Sequence, residues 1–147
     1  GSILTPEATL DPDGGNIAVV LDRLRDVRPS AWEALNADLQ RWVPEFRQIT
    51  FATPGPGQRA IQLRTGEGHL VPTEHISSGT ILTLGLLTIL HAEDAVRVVG
   101  IEEPEIGLHP RMLRSVRDAL LRMAYPAEND DDREPRQVIV TTHSPYF

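Results

Sequence analysis

Val98-Val99-Gly100-Ile101-Glu102-Glu103-Pro104-Glu105 decides how the chain is read. The apolar run, taken over Ala95 to Glu102, reads as a buried strand that ends in adjacent carboxylates. In open α/β sheets, ligands bind outside the carboxyl ends of the strands. Two unpaired carboxylates beside a buried strand are costly unless a cation or a proton compensates them. One acid can hold Mg2+, directly or through water, and its neighbour can polarise an attacking water. Taken alone, the same residues also read as a plain acidic turn.

The flanking sequence narrows the choice. Pro110 sits at the first turn of a helix, where a missing N–H costs nothing. Leu113, Val116, Leu120 and Met123 form its core stripe, and Arg111, Arg114 and Arg117 lie off it. Gln137 to Thr142 reads as a second buried strand. Strand, helix, strand in this order predicts a parallel pair joined by a right-handed crossover. The second strand runs into Thr142-His143-Ser144, so a histidine is delivered beside the two acids. An imidazole there can hydrogen-bond a γ-phosphate or the attacking water, although a lone histidine at a strand end is more often structural.

Upstream, Thr80 to about Glu93 is apolar nearly all round and predicts a buried helix. Ile76-Ser77-Ser78-Gly79-Thr80 opens it. A helix N-terminus offers free N–H groups and partial positive charge, and small residues let a phosphate approach the backbone. A simple helix cap is the alternative for this segment alone.

The N-terminal half reads as two helices and a hairpin. Asn16 is placed to cap a helix over Ile17 to Val27, with Ile17, Val20, Leu21 and Leu24 on one face. Ser30 and Glu33 have capping-box spacing before a helix that carries Trp32, Leu35, Leu39 and Trp42 and stops at Pro44. Arg47, Ile49 and Phe51 alternate, as do Ile61 and Leu63 within Ala60 to Thr65. With the Pro54 to Gly57 loop between them, the two runs predict an antiparallel hairpin. Gly66-Glu67-Gly68 is a second turn, leading to a short strand at Leu70-Val71.

Composition sets the outer bounds. The 147 residues suffice for one hydrophobic core, and 40% hydrophobic with 24% charged residues fits a soluble globular domain. The longest apolar run, Ile81 to Leu90, is shorter than the roughly 20 residues a membrane span requires. Cysteine is absent, which rules out disulfides and thiolate metal sites and fits a cytoplasmic location. The net charge of −7, partly from a solvated acidic loop over Glu128 to Glu134, disfavours direct contact with a nucleic-acid backbone. Every one of the 14 basic residues is arginine. A phosphate-binding loop needs a Gly-rich turn followed by Lys and Ser/Thr, so none lies within this sequence. Gly1-Ser2 is read as a tag scar, with residues 3–147 forming a single fragment of a longer protein.

Taken together and in order, the motifs resemble the head of an ATP-binding-cassette ATPase. Residues 76–80 resemble its signature, 98–103 its Walker B strand, 104–110 its D-loop, and His143 its switch histidine. The wording Glu-Glu-Pro-Glu-x-x-Leu-His-Pro, followed by Thr-Thr-His-Ser-Pro, is most similar to the RecF/SMC-like AAA-family ATPases, a group that includes the overcoming-lysogeny-defect proteins. The motifs cover Glu74 to Phe147, and the region before them matches more loosely. The fold class implied is α/β: the C-terminal lobe of a P-loop NTPase, with parallel strands, flanking helices, an N-terminal helical part and an antiparallel hairpin.

The resemblance implies roles position by position. Glu102 corresponds to the Walker B acid that helps hold Mg2+, although many relatives carry Asp there. Glu103 corresponds to the catalytic glutamate and His143 to the γ-phosphate sensor. Ser77, Ser78 and Gly79 correspond to residues that contact the γ-phosphate of ATP held by a second subunit. Glu105 and His109 would lie at the dimer interface. The implied cofactors are ATP and Mg2+. The implied partners are an N-terminal half carrying the P-loop, a second head joined through ATP, and DNA for the complete protein, though not through this acidic piece. No membrane is implied. On this reading the complete protein hydrolyses ATP, in DNA repair, DNA processing or phage defence, and the piece alone is inactive. Competing readings are a non-catalytic docking module derived from an ATPase lobe, a transporter nucleotide-binding domain, and a two-carboxylate metal site unrelated to ATP.

Overall fold

A helix that is apolar on nearly every side has to be covered on nearly every side. The computed structural model, which describes residues 10–11, 14–92, 96–127 and 134–145, puts one such helix at the middle of the fold. This helix, α3 (Ser78–Ala92), buries Thr83, Leu84, Leu86, Leu87, Thr88 and Leu90. Three helices pack on it: α1 (Ile17–Val27), α2 (Pro29–Trp42) and α4 (Pro110–Ala124). Its two deepest hydroxyls are satisfied within the helix. Thr83 Oγ1 donates to the Gly79 carbonyl at 2.9 Å and Thr88 Oγ1 to the Leu84 carbonyl at 2.7 Å. At the helix's C-terminal end the Arg136 guanidinium donates to the Ile89 carbonyl at 2.5 Å, a cation where the helix dipole favours one.

The helix spans match the periodicity closely, but two caps differ. Asn16 precedes α1 without a side-chain cap bond; its Oδ1 accepts from the Asp11 N–H instead, at 2.8 Å. The second helix begins at Pro29, so Ser30 lies inside it and the expected capping box does not form. Proline's fixed φ suits the first helical position and moves the start ahead of the serine. The stripe Trp32, Leu35, Leu39 and Trp42 is buried as expected.

Strands β1 (Phe46–Ala52), β2 (Ala60–Thr65) and β3 (Leu70–Pro72) form an antiparallel sheet in that order. A register shift between Phe46 and Gln48 breaks the expected alternation, so Arg47 is exposed while Phe46 and Ile49 are buried. Asn36 fastens the sheet to α2: its Nδ2 donates to the Trp32 carbonyl at 3.0 Å and its Oδ1 accepts from the Ile49 N–H at 2.8 Å. Trp32 and Phe51 stack with centroids 5.7 Å apart.

Strands β4 (Val98–Glu102) and β5 (Gln137–Thr141) pair in parallel, Val98 opposite Gln137 through Glu102 opposite Thr141, with α4 between them in sequence. They are shorter than expected and covered on one face only. Val99, Ile101, Val138 and Val140 face the core. Val98 and Ile139 are 55% and 53% exposed. The expectation of two fully buried strands is therefore corrected: with a side-chain period of two, only one face of this pair packs against the helices. The core stripe of α4 is also wider than expected, adding Met112 and Ala119 while Leu113 is partly buried. Gly1-Ser2, Glu93 and Ala95, and most of the acidic stretch, 128–133, lie outside the described residues.

One charged cluster is set within the helices. Asp38 of α2 is 5% exposed; its Oδ2 meets His91 Nε2 at 2.9 Å and Arg122 Nη1 at 3.1 Å, and its Oδ1 meets Arg41 Nη1 at 3.3 Å. Burial pushes the Asp38 carboxyl up, but the His91 hydrogen bond and the Arg122 charge outweigh it and hold the group below its ordinary pKa.

Candidate functional site

The carboxyl ends of β4 and β5 converge on a cleft of about 580 Å3 lined by Leu82, Glu102, Glu103, Ile106 and Thr141. The parallel register sets Glu102 beside Thr141, and the Glu103 N–H continues the ladder by donating to the Thr141 carbonyl at 2.7 Å. Glu103 then leaves the strand with a φ of 43°, a conformation uncommon outside glycine and often retained at functional sites. The turn closes when the Ile106 N–H donates to the Glu103 carbonyl at 2.9 Å, with Pro104 buried inside it. As a result the Glu103 carboxylate reaches across to the neighbouring strand end. Its Oε1 lies 3.2 Å from His143 Nε2. The imidazole is 90% exposed and the carboxylate 37%, so the pair faces solvent at the cleft's mouth.

Glu105 points the other way, into its own chain. Its Oε1 accepts from Thr142 Oγ1 at 2.7 Å, from the His143 N–H at 2.9 Å and from the Ser144 N–H at 3.2 Å. Desolvation pushes this carboxyl up, but the Thr142 hydroxyl together with the backbone N–H groups of Glu105 itself, His143 and Ser144 outweighs it and holds the group below its ordinary pKa. His109 caps α4: its Nδ1 accepts from the Arg111 N–H at 3.3 Å, and Pro110 follows at the first helical position.

Ser78 and Gly79, at the start of α3, meet this turn at Gly107. Ser77 Oγ accepts from the Thr80 N–H at 3.2 Å and shares a 2.9 Å hydrogen bond with Thr80 Oγ1, so it caps α3. Gly79 is buried beneath Gly107, where an added Cβ would collide with the Gly107 carbonyl oxygen. Gly107 itself needs its hydrogen side chain for a φ of 81°. The structure thus brings Glu102, Glu103 and His143 together; it sets Ser78 and Gly79 against residues 107–108, and none of Ser77, Ser78 and Gly79 is among the residues lining the cleft.

The donor set suits a hard cation. Among the described residues no three His, Cys, Asp or Glu side chains cluster. Magnesium does not need such a cluster, because it keeps several waters and takes one or two carboxylates together with substrate phosphates. Glu102 and Glu103 beside an open cleft can supply that share. The lining contributes two carboxylates and no basic side chain, so a polyphosphate would need positive charge from outside it.

Sequence periodicity did not anticipate Leu82 and Ile106 as walls of the cleft, nor the Glu105–Thr142–Ser144 contacts. Ile106 is 65% exposed in the structure, which periodicity does not encode.

Residues 12–147 match the family described as "AAA domain, putative AbiEii toxin, Type IV TA system". The chain belongs to this AAA-domain family. The resemblance to RecF/SMC-like ATPases holds at the level of fold too. A solved structure from work on ATP-driven dimerisation and DNA-stimulated activation of SMC ATPases superposes with a TM-score of 0.55 over 86% of this chain and 74% of its own, at 13% identity. No curated protein sequence matches the chain. This α/β AAA-domain protein, with its parallel pair, hairpin and flanking helices, therefore shares its fold with that SMC ATPase structure. No helix among the described residues is long and apolar enough to cross a membrane.

Proposed function

We propose that the chain is the C-terminal lobe of an ATP-hydrolysing head, and that Glu102, Glu103 and His143 form its share of the hydrolytic site. The observation that carries this reading is the 3.2 Å contact between Glu103 and His143 at the ends of adjacent parallel strands, over an open cleft. Glu103 accepts the proton of the attacking water, and His143 donates a hydrogen bond to the γ-phosphate side of the site. Glu102 would hold Mg2+, which when bound neutralises phosphate charge. The lysine-free sequence and the acidic lining both support phosphate binding by a P-loop supplied from elsewhere in the complete protein. The exposed apolar face of β4 and β5 supports a covering segment as well.

On this reading Ser77, Ser78 and Gly79 serve the ATP of a second head, so ATP joins two heads and hydrolysis releases them. Glu105 and His109 lie on the turn and cap that such a partner would meet. The residues 3–147 alone do not turn over ATP. The SMC neighbour's association with ATP-driven dimerisation and with DNA makes a DNA-linked role the reading of choice for the complete protein.

Size-exclusion chromatography with light scattering tests this. With Mg2+ and ATP, the complete gene product carrying Glu103→Gln runs as a stable dimer, while wild type reverts to its nucleotide-free state as ATP is consumed. A Glu103→Gln protein whose mass does not respond to ATP contradicts the proposal.

A further inference from the structure

We infer that Glu105 is a positioning residue for His143, holding the backbone behind the imidazole so that the ring meets Glu103. The inference rests on the reading of the Glu103–His143 pair as a hydrolytic site. A side chain that is 90% exposed gets little orientation from packing. The described contact to the His143 ring is the one from Glu103, so the ring's aim depends on how its backbone is held. One carboxylate oxygen contacts three successive residues of that backbone. Glu105 Oε1 gathers the Thr142 hydroxyl and the His143 and Ser144 N–H groups at 2.7, 2.9 and 3.2 Å. Thr142 Oγ1 also accepts from the Ser144 N–H at 2.9 Å, which closes the arrangement into a ring.

The same carboxylate belongs to the turn that carries Glu103. The Ile106 N–H to Glu103 carbonyl bond spans Glu105, so Glu105 ties together the two loops that deliver the acid and the imidazole. Hydrogen bonds to an ionised acceptor are the stronger kind, and three of them converge here. The other oxygen, Oε2, is buried without a hydrogen-bond partner among the described residues. An unpartnered buried oxygen is costly, and the three bonds to Oε1 offset that cost.

The test compares wild type, Glu105→Ala and Glu105→Gln in the complete gene product. Glutamine keeps a carbonyl oxygen for the three donors, and alanine keeps none. Glu105→Ala is expected to lower kcat for ATP about 10- to 100-fold, as a small misplacement of a reacting group does, with KM changed less than about 2-fold. Glu105→Gln is expected to recover most of that loss. Hydrogen exchange at the His143 and Ser144 amides, measured on the same proteins, is expected to rise about 10-fold or more in Glu105→Ala and less in Glu105→Gln. Wild-type kcat in Glu105→Ala, glutamine as damaging as alanine, or unchanged amide exchange would each overturn the inference. If wild type shows no turnover at all, the proposed function fails. Amide exchange then decides the positioning role alone: faster exchange in Glu105→Ala upholds it and unchanged exchange overturns it.

Discussion

Glu103 Oε1 and His143 Nε2 meet at 3.2 Å across the ends of two hydrogen-bonded parallel strands. The strand register makes the contact possible: with Glu102 opposite Thr141, Glu103 lies one residue and His143 two residues beyond the last pair, so both leave the sheet at the same end. The positive φ of Glu103 then turns its side chain toward the histidine. A one-residue slip of either strand would send one of the two groups to the other face. The pair is therefore a product of the fold and not of sequence neighbourhood.

If His143 senses the γ-phosphate, removing its imidazole weakens the transition state more than the ground state. His143→Ala in the complete gene product is expected to lower kcat about 100-fold, the loss typical of one preorganised donor, with nucleotide affinity little changed. Phosphate-release kinetics and nucleotide titration read the two quantities separately.

Gly79→Ala probes the contact between α3 and the turn at residues 107–108. An added methyl has nowhere to go, because the neighbour it meets is the Gly107 backbone carbonyl and not a flexible side chain. A destabilisation of about 1–3 kcal/mol is expected by denaturant unfolding, the usual cost of overpacking. Ser78→Ala, at an exposed position, is expected to stay within about 0.5 kcal/mol of wild type.

Asp38 carries the clearest pH signature. Its folded pKa lies below the unfolded value, so its ionisation contributes stability at neutral pH that is lost as pH falls through about 4 toward the folded pKa. Asp38→Ala leaves His91 and Arg122 without their buried partner and is expected to cost about 3 kcal/mol at pH 7, the low end for a broken buried pair. The low end applies because Arg122 and Arg41 are 48% and 71% exposed and keep part of their hydration. The gap between variant and wild type is expected to narrow below pH 4. A gap independent of pH would remove the charge from the explanation.

Ile139 asks whether the open face of β4 and β5 is covered in the complete gene product. Where that face meets solvent, Ile139→Lys changes stability by less than about 0.5 kcal/mol. Where another segment packs on it, burying a charge against apolar surface costs more than the roughly 1.5–3 kcal/mol lost with the isoleucine side chain. The second outcome is expected, read as a lower thermal midpoint of the complete gene product.

Much of this was legible in the sequence, and the misses have physical causes. The buried helix, the parallel pair and the hairpin follow from periodicity, and the converging Glu102, Glu103 and His143 follow from where strands end. The phase of β1 was not legible, because a bulge at Phe46 to Gln48 interrupts the period of two. Ser30 and Glu33 matched a capping box locally, yet Pro29 began the helix first. Apolar runs at Val98 to Ile101 and Val138 to Val140 could not reveal that only one face is covered, since burial depends on what packs there. The Asp38–His91 pair and the grip of Glu105 on Thr142 to Ser144 join distant segments, which local patterns do not encode.

Steady-state ATP turnover by the complete gene product, wild type against Glu103→Gln, bears most directly on the site assigned to these residues. General-base loss typically costs about 100- to 10,000-fold, and a fall in that range with ATP binding intact is the predicted result. Turnover by Glu103→Gln at the wild-type rate would contradict the account.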